Sequence, residues 1–364
     1  MVTTQATFIY KQKINVTNFI MINLYRKLKK RIVLQSPDTL FKDHNNMTED
    51  PKEPNFKIEN FGKDNSDKIF YVIKRTPGTG FFSNLTFILN HLLIAEERGY
   101  IPIIDMENYK TIYNEKIKIK NTFNAWEYYF EKLNNFELDQ VYKSKNVIIT
   151  NNKFFRDFNY NFLENKKLKE FFIKKIKIKK NLYKIYKKIC LKFQNKKTLG
   201  IHFRGTSYKR TPGHPFPPTK DQILICVNNI IRKEKIEKIF LATEELDYLD
   251  FFKKKFPDYL IHIESCYRSN KNDAFKIYPR KRHRYKLGRE ILLESMILSK
   301  CDYFLYSNSN VSKAVIGFNF NNTQQRYEID NGFNSKNIFI SQFLWYLKKF
   351  LPQFFGGFKK ELIN

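Results

Sequence analysis

The chain has 364 residues, enough for two domains of ordinary size, and a hydrophobic content of 42% with 16% aromatics excludes a disordered chain. Lys and Arg number 66 against 36 Asp and Glu, a formal net charge of +30; its bland source is an AT-rich coding composition, since Lys, Asn, Ile, Phe and Tyr are all abundant, and its functional source is an anionic partner. The 4 cysteines, Cys190, Cys226, Cys266 and Cys301, include no Cys-x-x-Cys pair and none near a histidine at zinc-ligand spacing, so free thiols in a reducing compartment are the simplest account.

In the first residues a short, interrupted apolar run precedes its basic cluster, the wrong order for a secretory signal. No run of about 18 apolar residues occurs, so no spanning helix is expected. "MINLYRKLKKRI" reads as a basic amphipathic helix, and its Met21 as an alternative start. Residues 36–66 are polar with several prolines, the pattern of a linker, so residues 1–66 form a basic segment and linker. "KIFYVIKR" (68–75) then reads as a buried strand and "TPGTGFFSN" as a Gly-rich turn. Leu85, Ile88, Leu89, Leu92 and Leu93 fall at helical spacing, Gly99 closes that helix, and "IPIIDM" is the next strand. This strand–turn–helix–strand order opens a parallel sheet. From Asn161 to Lys197 the chain is Lys-rich with spaced apolar residues, predicting one or two amphipathic helices with a solvated basic face. Residues 67–197 make a first Rossmann-like domain with a helical insert.

After Lys197 the alternation restarts. "TLGIHF", "KIFLATEE", "YLIHIES" and "DYFLYSN" read as strands. Helices are expected in "TKDQILICVNNIIRKE", with Thr219 as N-cap, in "LDYLDFFKKKF", in "GREILLESMILSK" and from "SNVSKAVIG". This second α/β unit occupies 198–330, and 331–364 form a C-terminal helix and tail. Two such units in tandem place a cleft at their strand C-termini, where ligands bind in parallel sheets.

Polar residues gather at four of those strand ends. In "GTGFFSNL", Gly78 and Gly80 allow close backbone approach, and Ser83 and Asn84 open a helix whose free N–H groups favour an anion; the plain alternative is a βα turn capped by Ser83, and the third glycine of a dinucleotide fingerprint is absent. His202 and Arg204, two residues apart, share one face of their strand. A guanidinium is permanently charged and bidentate, which suits a diphosphate, whereas the plain alternatives are a structural ion pair and a core histidine. Thr243 and Glu244 follow their strand directly, as a ligand contact or a helix cap. Arg280, Lys281, Arg282, Arg284 and Lys286 lead into a helix with Glu294 among leucines, a carboxylate that is costly to bury without a partner. Ser307, Asn308, Ser309 and Asn310 begin the last helix of the unit, a second N–H-rich seat for an anion.

"GIHFRGTSYK", then "IFLATEE", then "HRYKLGREILLESMILSKCDYFLYSNSNVSKAV" resemble, in order, the three motifs of the α1,6-/protein O-fucosyltransferase superfamily, whose first motif reads roughly His-x-Arg-Arg-Thr-Asp-Lys. "GTGFFSNL" resembles the opening turn of the protein O-fucosyltransferases. The resemblance spans about Lys68 to Gly317 and implies a GT-B fold: two Rossmann-like domains facing each other across a cleft, the nucleotide on the C-terminal one. It implies that Arg204 binds the β-phosphate of GDP-fucose and assists its departure. His202 and Glu294 would read the guanine or ribose, Asn84 would lie near the reacting centre, and Ser309 would contact phosphate or ribose. Gly80, Ser83, Thr243 and Asn310 complete the expected donor-binding set. Gly205 stands where the motif has its second arginine, Ser207 where it has aspartate, and Glu294 where its carboxylate is aspartate; Lys209, Arg210 and His214 are candidates to replace the missing charge.

No Asp-x-Asp metal signature occurs, so the implied transfer is metal-independent, with no cofactor beyond the donor substrate. Glu127, in "NAWEYYFEKL", is the candidate base. A glycan or lipid-linked oligosaccharide is the expected acceptor, and the basic helices predict peripheral contact with an anionic membrane from the cytoplasmic side. A transferase with another nucleotide-sugar donor, a dinucleotide oxidoreductase and a basic nucleic-acid-binding protein are the competing readings. Against the last, no nucleic-acid-binding motif is present and the cations are spread along the chain, so no nucleic-acid partner is expected.

Overall fold

The computed structural model describes residues 56–151 and 166–359, apart from 206, 272 and 320–322. The basic helix expected from Met21 lies outside these residues. The first sheet contains β1 (Ile58–Glu59), β2 (Phe70–Ile73), β3 (Ile101–Ile104) and β4 (Val147–Ile149) in the order β1-β4-β2-β3. β2 runs parallel to both β3 and β4, and β1 closes the edge antiparallel to β4. Every residue of β2 is buried, as expected of a strand covered on both faces. Helix α1 (Phe81–Glu97) connects β2 to β3. β1 corrects the linker assignment at residues 58–59: two residues carry no periodicity, and only pairing with β4 makes them a strand.

Beyond the single-turn α2 (Leu138–Val141), the Lys-rich stretch holds two helices, α3 (Lys166–Lys175) and α4 (Lys180–Cys190). α4 buries Leu182 and Tyr186 and leaves its lysines outward. All 4 cysteines are free thiols, Cys226 and Cys301 buried and the other two partly so.

The second sheet contains β5 (Thr198–Phe203), β6 (Lys238–Thr243), β7 (Leu260–Ile261), β8 (Tyr303–Tyr306) and β9 (Gln325–Glu328), all parallel, in the order β7-β6-β5-β8-β9. Its helices are α5 (Lys220–Glu234), α6 (Leu246–Lys255), α7 (His283–Leu298), α8 (Asn310–Phe318) and α9 (Ile338–Phe350). The chain lays down β5, β6 and β7 in one direction, then returns to β8 on the far side of β5. The topological switch therefore lies between β5 and β8, the place where open α/β sheets hold ligands. Thr219 caps α5 as expected: its hydroxyl accepts from Gln222 N, and the Gln222 amide oxygen accepts from Thr219 N.

Helix α7 begins at His283, five residues before the expected Gly288. Arg282 at its head has φ 56° and makes no side-chain cap. The cap comes instead from the other half of the molecule, where the buried Glu115 Oε1 accepts from Tyr285 N at 2.9 Å. Around this contact the halves meet along an aromatic seam. Tyr129 stacks on Tyr285 at 5.8 Å and donates to its carbonyl at 3.1 Å, Phe82 meets Phe318 edge-on, and Tyr113 meets Phe275 edge-on. Side chains from both sheets thus share one core.

Gly288 permits that approach. A Cβ there would overlap Tyr129 Oη and lie 2.6 Å from its Cζ. Gly288→Ala gains about 1 kcal/mol of helix propensity but overpacks the seam, which typically costs about 1–3 kcal/mol. The variant is expected to unfold at lower urea concentration with an unchanged slope; a midpoint at or above that of the parent chain would contradict the seam.

Candidate functional site

A cavity of about 140 Å³ opens at the C-terminal ends of β5 and β6. His202 comes from β5 and Arg204 directly follows it, Thr243 comes from β6 and Glu244 directly follows it, and α7 contributes Glu290 and Glu294. Val311 of α8 and Tyr113 of the first half complete its rim, and Ser269 and Lys271 enter from the irregular segment after β7. Four sequence-predicted residues, His202, Arg204, Thr243 and Glu294, are therefore brought together.

His202 lies in β5 and Arg204 one residue beyond its end, and both line the cavity. His202 is buried, and desolvation, with the Arg204 charge beside it, pulls its ring down to about 3. The imidazole is thus neutral at physiological pH, one nitrogen a donor and the other an acceptor, and its Nδ1 has no hydrogen-bond partner among the described residues. The Arg204 guanidinium lies 4.2 Å over the Tyr208 ring, with Nε 3.5 Å from Glu244 Oε1 in an ion pair that lacks a hydrogen bond. Thr243 Oγ1 accepts from Glu245 N, which turns the chain into α6.

The α7 carboxylates each have a guanidinium partner that sequence reasoning did not assign. Arg268 Nη2 lies 3.2 Å from Glu294 Oε1. Arg280 grips Glu290 with two bonds of 2.7 and 2.6 Å, and Tyr267 N adds a third donor at 3.2 Å. Glu290 and Glu294 are one turn apart on α7, so both project from one side. That spacing inside "GREILLES" was the available signal, because two acids on an apolar helix face call for two cations. Arg280 also donates Nε to His283 Nδ1, while His283 Nε2 reaches Ala274 O; these bonds brace the segment that forms the cavity wall. Burial, with Glu294 nearby, pushes the Cys266 thiol far up, which disfavours its thiolate.

The other predicted residues lie elsewhere. Gly80, not Ser83, occupies the N-cap position of α1, and a Cβ added to it would meet nothing within 4 Å. Ser83 is within the first turn of α1. Asn84 clasps the Gly-rich turn, accepting from Thr79 N at 2.9 Å and donating to Thr79 O at 3.2 Å. Gly78, at φ 70°, comes so close to Asn84 that no side chain fits. Ser309 caps α8 by accepting from Ser312 N, and Asn310 is the exposed first residue of that helix. Glu127 lines a separate cavity of about 320 Å³ with Asn124, Lys132 and Glu137; burial raises its carboxyl against the pull of Lys132.

None of Lys209, Arg210 and His214 lines the Arg204 cavity. Lys209 pairs with Glu245 at 3.2 Å, Arg210 lies over Tyr346, and His214 Nδ1 is 3.0 Å from Pro212 O. Gly205 has the same cause: a Cβ there would overlap Glu245 Oε1 and lie 2.7 Å from Tyr248 Cε2, so the Lys209–Glu245 pair fills the room a larger side chain would need.

No family model matches the chain, and no curated protein matches it. Among solved structures it is similar to NodZ α-1,6-fucosyltransferase co-crystallised with GDP, at 15% identity over 72% of this chain and 96% of that one, with a TM-score of 0.47. It is similar to fucosyltransferase NodZ from Bradyrhizobium at 15% identity, 68% and 92% coverage and a TM-score of 0.45. POFUT1 in complex with GDP follows at 12% identity, 72% and 98% coverage and a TM-score of 0.42.

Burial pushes the Glu294 carboxyl from its ordinary 4.5 up to about 7, against the opposing charge of Arg268. Between those values the folded chain holds a proton that the unfolded chain has released, so this group's contribution to stability falls as pH rises from about 5 to about 8. Glu294→Gln removes that component. In urea titrations the stability difference favouring the parent chain should narrow across this interval; a difference that is flat or widens would place the Glu294 pKa at or below its ordinary value.

Proposed function

We propose that the protein is a glycosyltransferase that moves fucose from GDP-fucose to a hydroxyl of a glycan acceptor without a metal ion. One observation carries this reading. Three separated sequence segments that resemble the motifs of one transferase superfamily converge, through β5, β6 and α7, on a single cavity at the C-terminal ends of two parallel strands. The cavity chemistry supports it. Neutral His202, with an unpartnered nitrogen, and the α7 carboxylates offer acceptors suited to the N–H and O–H donors of a base and ribose. Arg204 offers charge at the mouth. The enclosed volume is below the ~300–1,000 Å³ typical of ligand pockets, so it seats one part of a nucleotide sugar and leaves the diphosphate and sugar towards the rim.

In the transfer the acceptor hydroxyl oxygen bonds to the anomeric carbon, the bond from that carbon to the β-phosphate oxygen breaks, the nucleoside diphosphate leaves with the bonding pair, and the hydroxyl proton passes to the departing phosphate oxygen. Arg204 exchanges its long contact with Glu244 for the β-phosphate, and its hold strengthens as negative charge gathers there, which lowers the barrier rather than only tightening binding. Val311, in the first turn of α8, lines the same cavity, and Ser309 caps that helix. Asn84 keeps the Gly-rich turn before α1 in shape. Glu127, on its own cavity, takes no part in the step.

Arg204→Lys keeps the charge and loses the planar fork. Transfer from GDP-fucose is expected to fall by about 10²–10³ while the unfolding transition stays in place; a rate within tenfold of the parent would remove Arg204 from the reaction. Transfer by the parent chain is expected to persist in EDTA. Loss on chelation with recovery on adding manganese would replace the guanidinium mechanism with a metal-assisted one.

A further inference from the structure

Helix α9 was expected only as a C-terminal helix, yet it carries the largest concentration of exposed apolar side chains in the described chain. Of the 20 large hydrophobic residues that are exposed, 9 fall between Phe333 and Phe355, so they form a patch rather than scatter. Phe339, Phe343, Leu347 and Phe350 recur at helical spacing with exposures of 74%, 71%, 49% and 79%, and Phe354 follows in the next turn at 81%. The opposite face is anchored. Ser341 and Trp345 are buried, Trp345 Nε1 donates to Pro217 O at 2.8 Å, and Trp345 packs with Phe216 and Phe358. The helix is therefore held rigidly with its aromatic stripe outward.

We propose that this stripe docks the protein on an anionic lipid bilayer. From Asn331 to Lys359 the chain has no acidic residue and 4 lysines, Lys336, Lys348, Lys349 and Lys359. Arg210 lies against Tyr346 at the edge of the stripe. An aromatic face whose own segment carries cations and no acid matches a surface whose interior is apolar and whose headgroups are negative. A second copy of the chain would bring the same lysines against themselves, which opposes self-association through this face. No described helix is long and apolar enough to cross a membrane, and α9, at 13 residues, has the form of a helix lying in the interface plane. Its rigid face also grips the loop that follows Arg204: Gln342 Nε2 donates to Arg210 O at 3.2 Å, and the Lys209 ammonium sits 5.2 Å over Trp345. Docking would thus bring lipid close to that loop.

The test needs no assay of transfer. The full-length protein is co-sedimented with vesicles of mixed phosphatidylglycerol and phosphatidylcholine and with vesicles of phosphatidylcholine alone. Binding to the mixed vesicles at low salt, reversed at high salt, is expected. It should weaken at least about tenfold in Phe339→Ser/Phe343→Ser/Phe350→Ser and in Lys336→Glu/Lys349→Glu, both with unchanged urea unfolding because the replaced side chains are exposed. Absence of binding by the parent chain, or undiminished binding by the aromatic variant, overturns the proposal. A lipid-free dimer in sedimentation velocity that the aromatic variant abolishes assigns the face to a second copy and overturns it equally.

Discussion

The Glu115 carboxylate at the head of α7 is the contact on which the arrangement of the cavity depends. A helix presents unsatisfied N–H groups in its first turn, and α7 meets them with an acid from the opposite half of the molecule rather than from its own flank. The position of α7 therefore depends on the first sheet being in place. Tyr129 and Gly288 set its distance and Glu115 sets its start. Because Glu290 and Glu294 ride on this helix, the cavity at the ends of β5 and β6 is complete only when both halves have folded against one another.

The polar side of the cavity is a set of three carboxylate–guanidinium pairs of decreasing closeness. Glu290 and Arg280 make the short bidentate pair, Glu294 and Arg268 a single contact, and Arg204 and Glu244 the loosest contact at the rim. Buried pairs of this kind add little net stability, because desolvation offsets their attraction, yet removing one partner leaves a costly lone charge. They hold geometry. The looseness at the rim has its own meaning, since an arginine already saturated by two strong bonds would have to lose them before meeting an anionic ligand.

Much of the fold was legible in the amino-acid order. "TLGIHF" is β5 to the residue, and Thr219 caps α5, because long apolar runs and cap residues act through neighbours in the chain. Three strands were not legible. β1, β4 and β9 are 2, 3 and 4 residues long, and β9 has no apolar alternation to reveal it; each exists through the strand beside it. The early start of α7 was hidden for the same reason, as its cap lies 170 residues upstream.

The candidate site divides along the same line. Residue types and spacing alone determined that His202 and Arg204 share a face at a strand end, that Thr243 follows the next strand, and that a carboxylate at Glu294 needs a partner. Only the tertiary structure decided that the partner is Arg268, that Glu290 and Arg280 form the adjoining wall, that Tyr113 reaches in from the other sheet, and that Lys209 serves Glu245 rather than the cavity. Backbone geometry transmits periodicity over a few residues and sets the direction of a side chain. The choice of partner depends on which surfaces pack together, and that is settled by burial of the whole core.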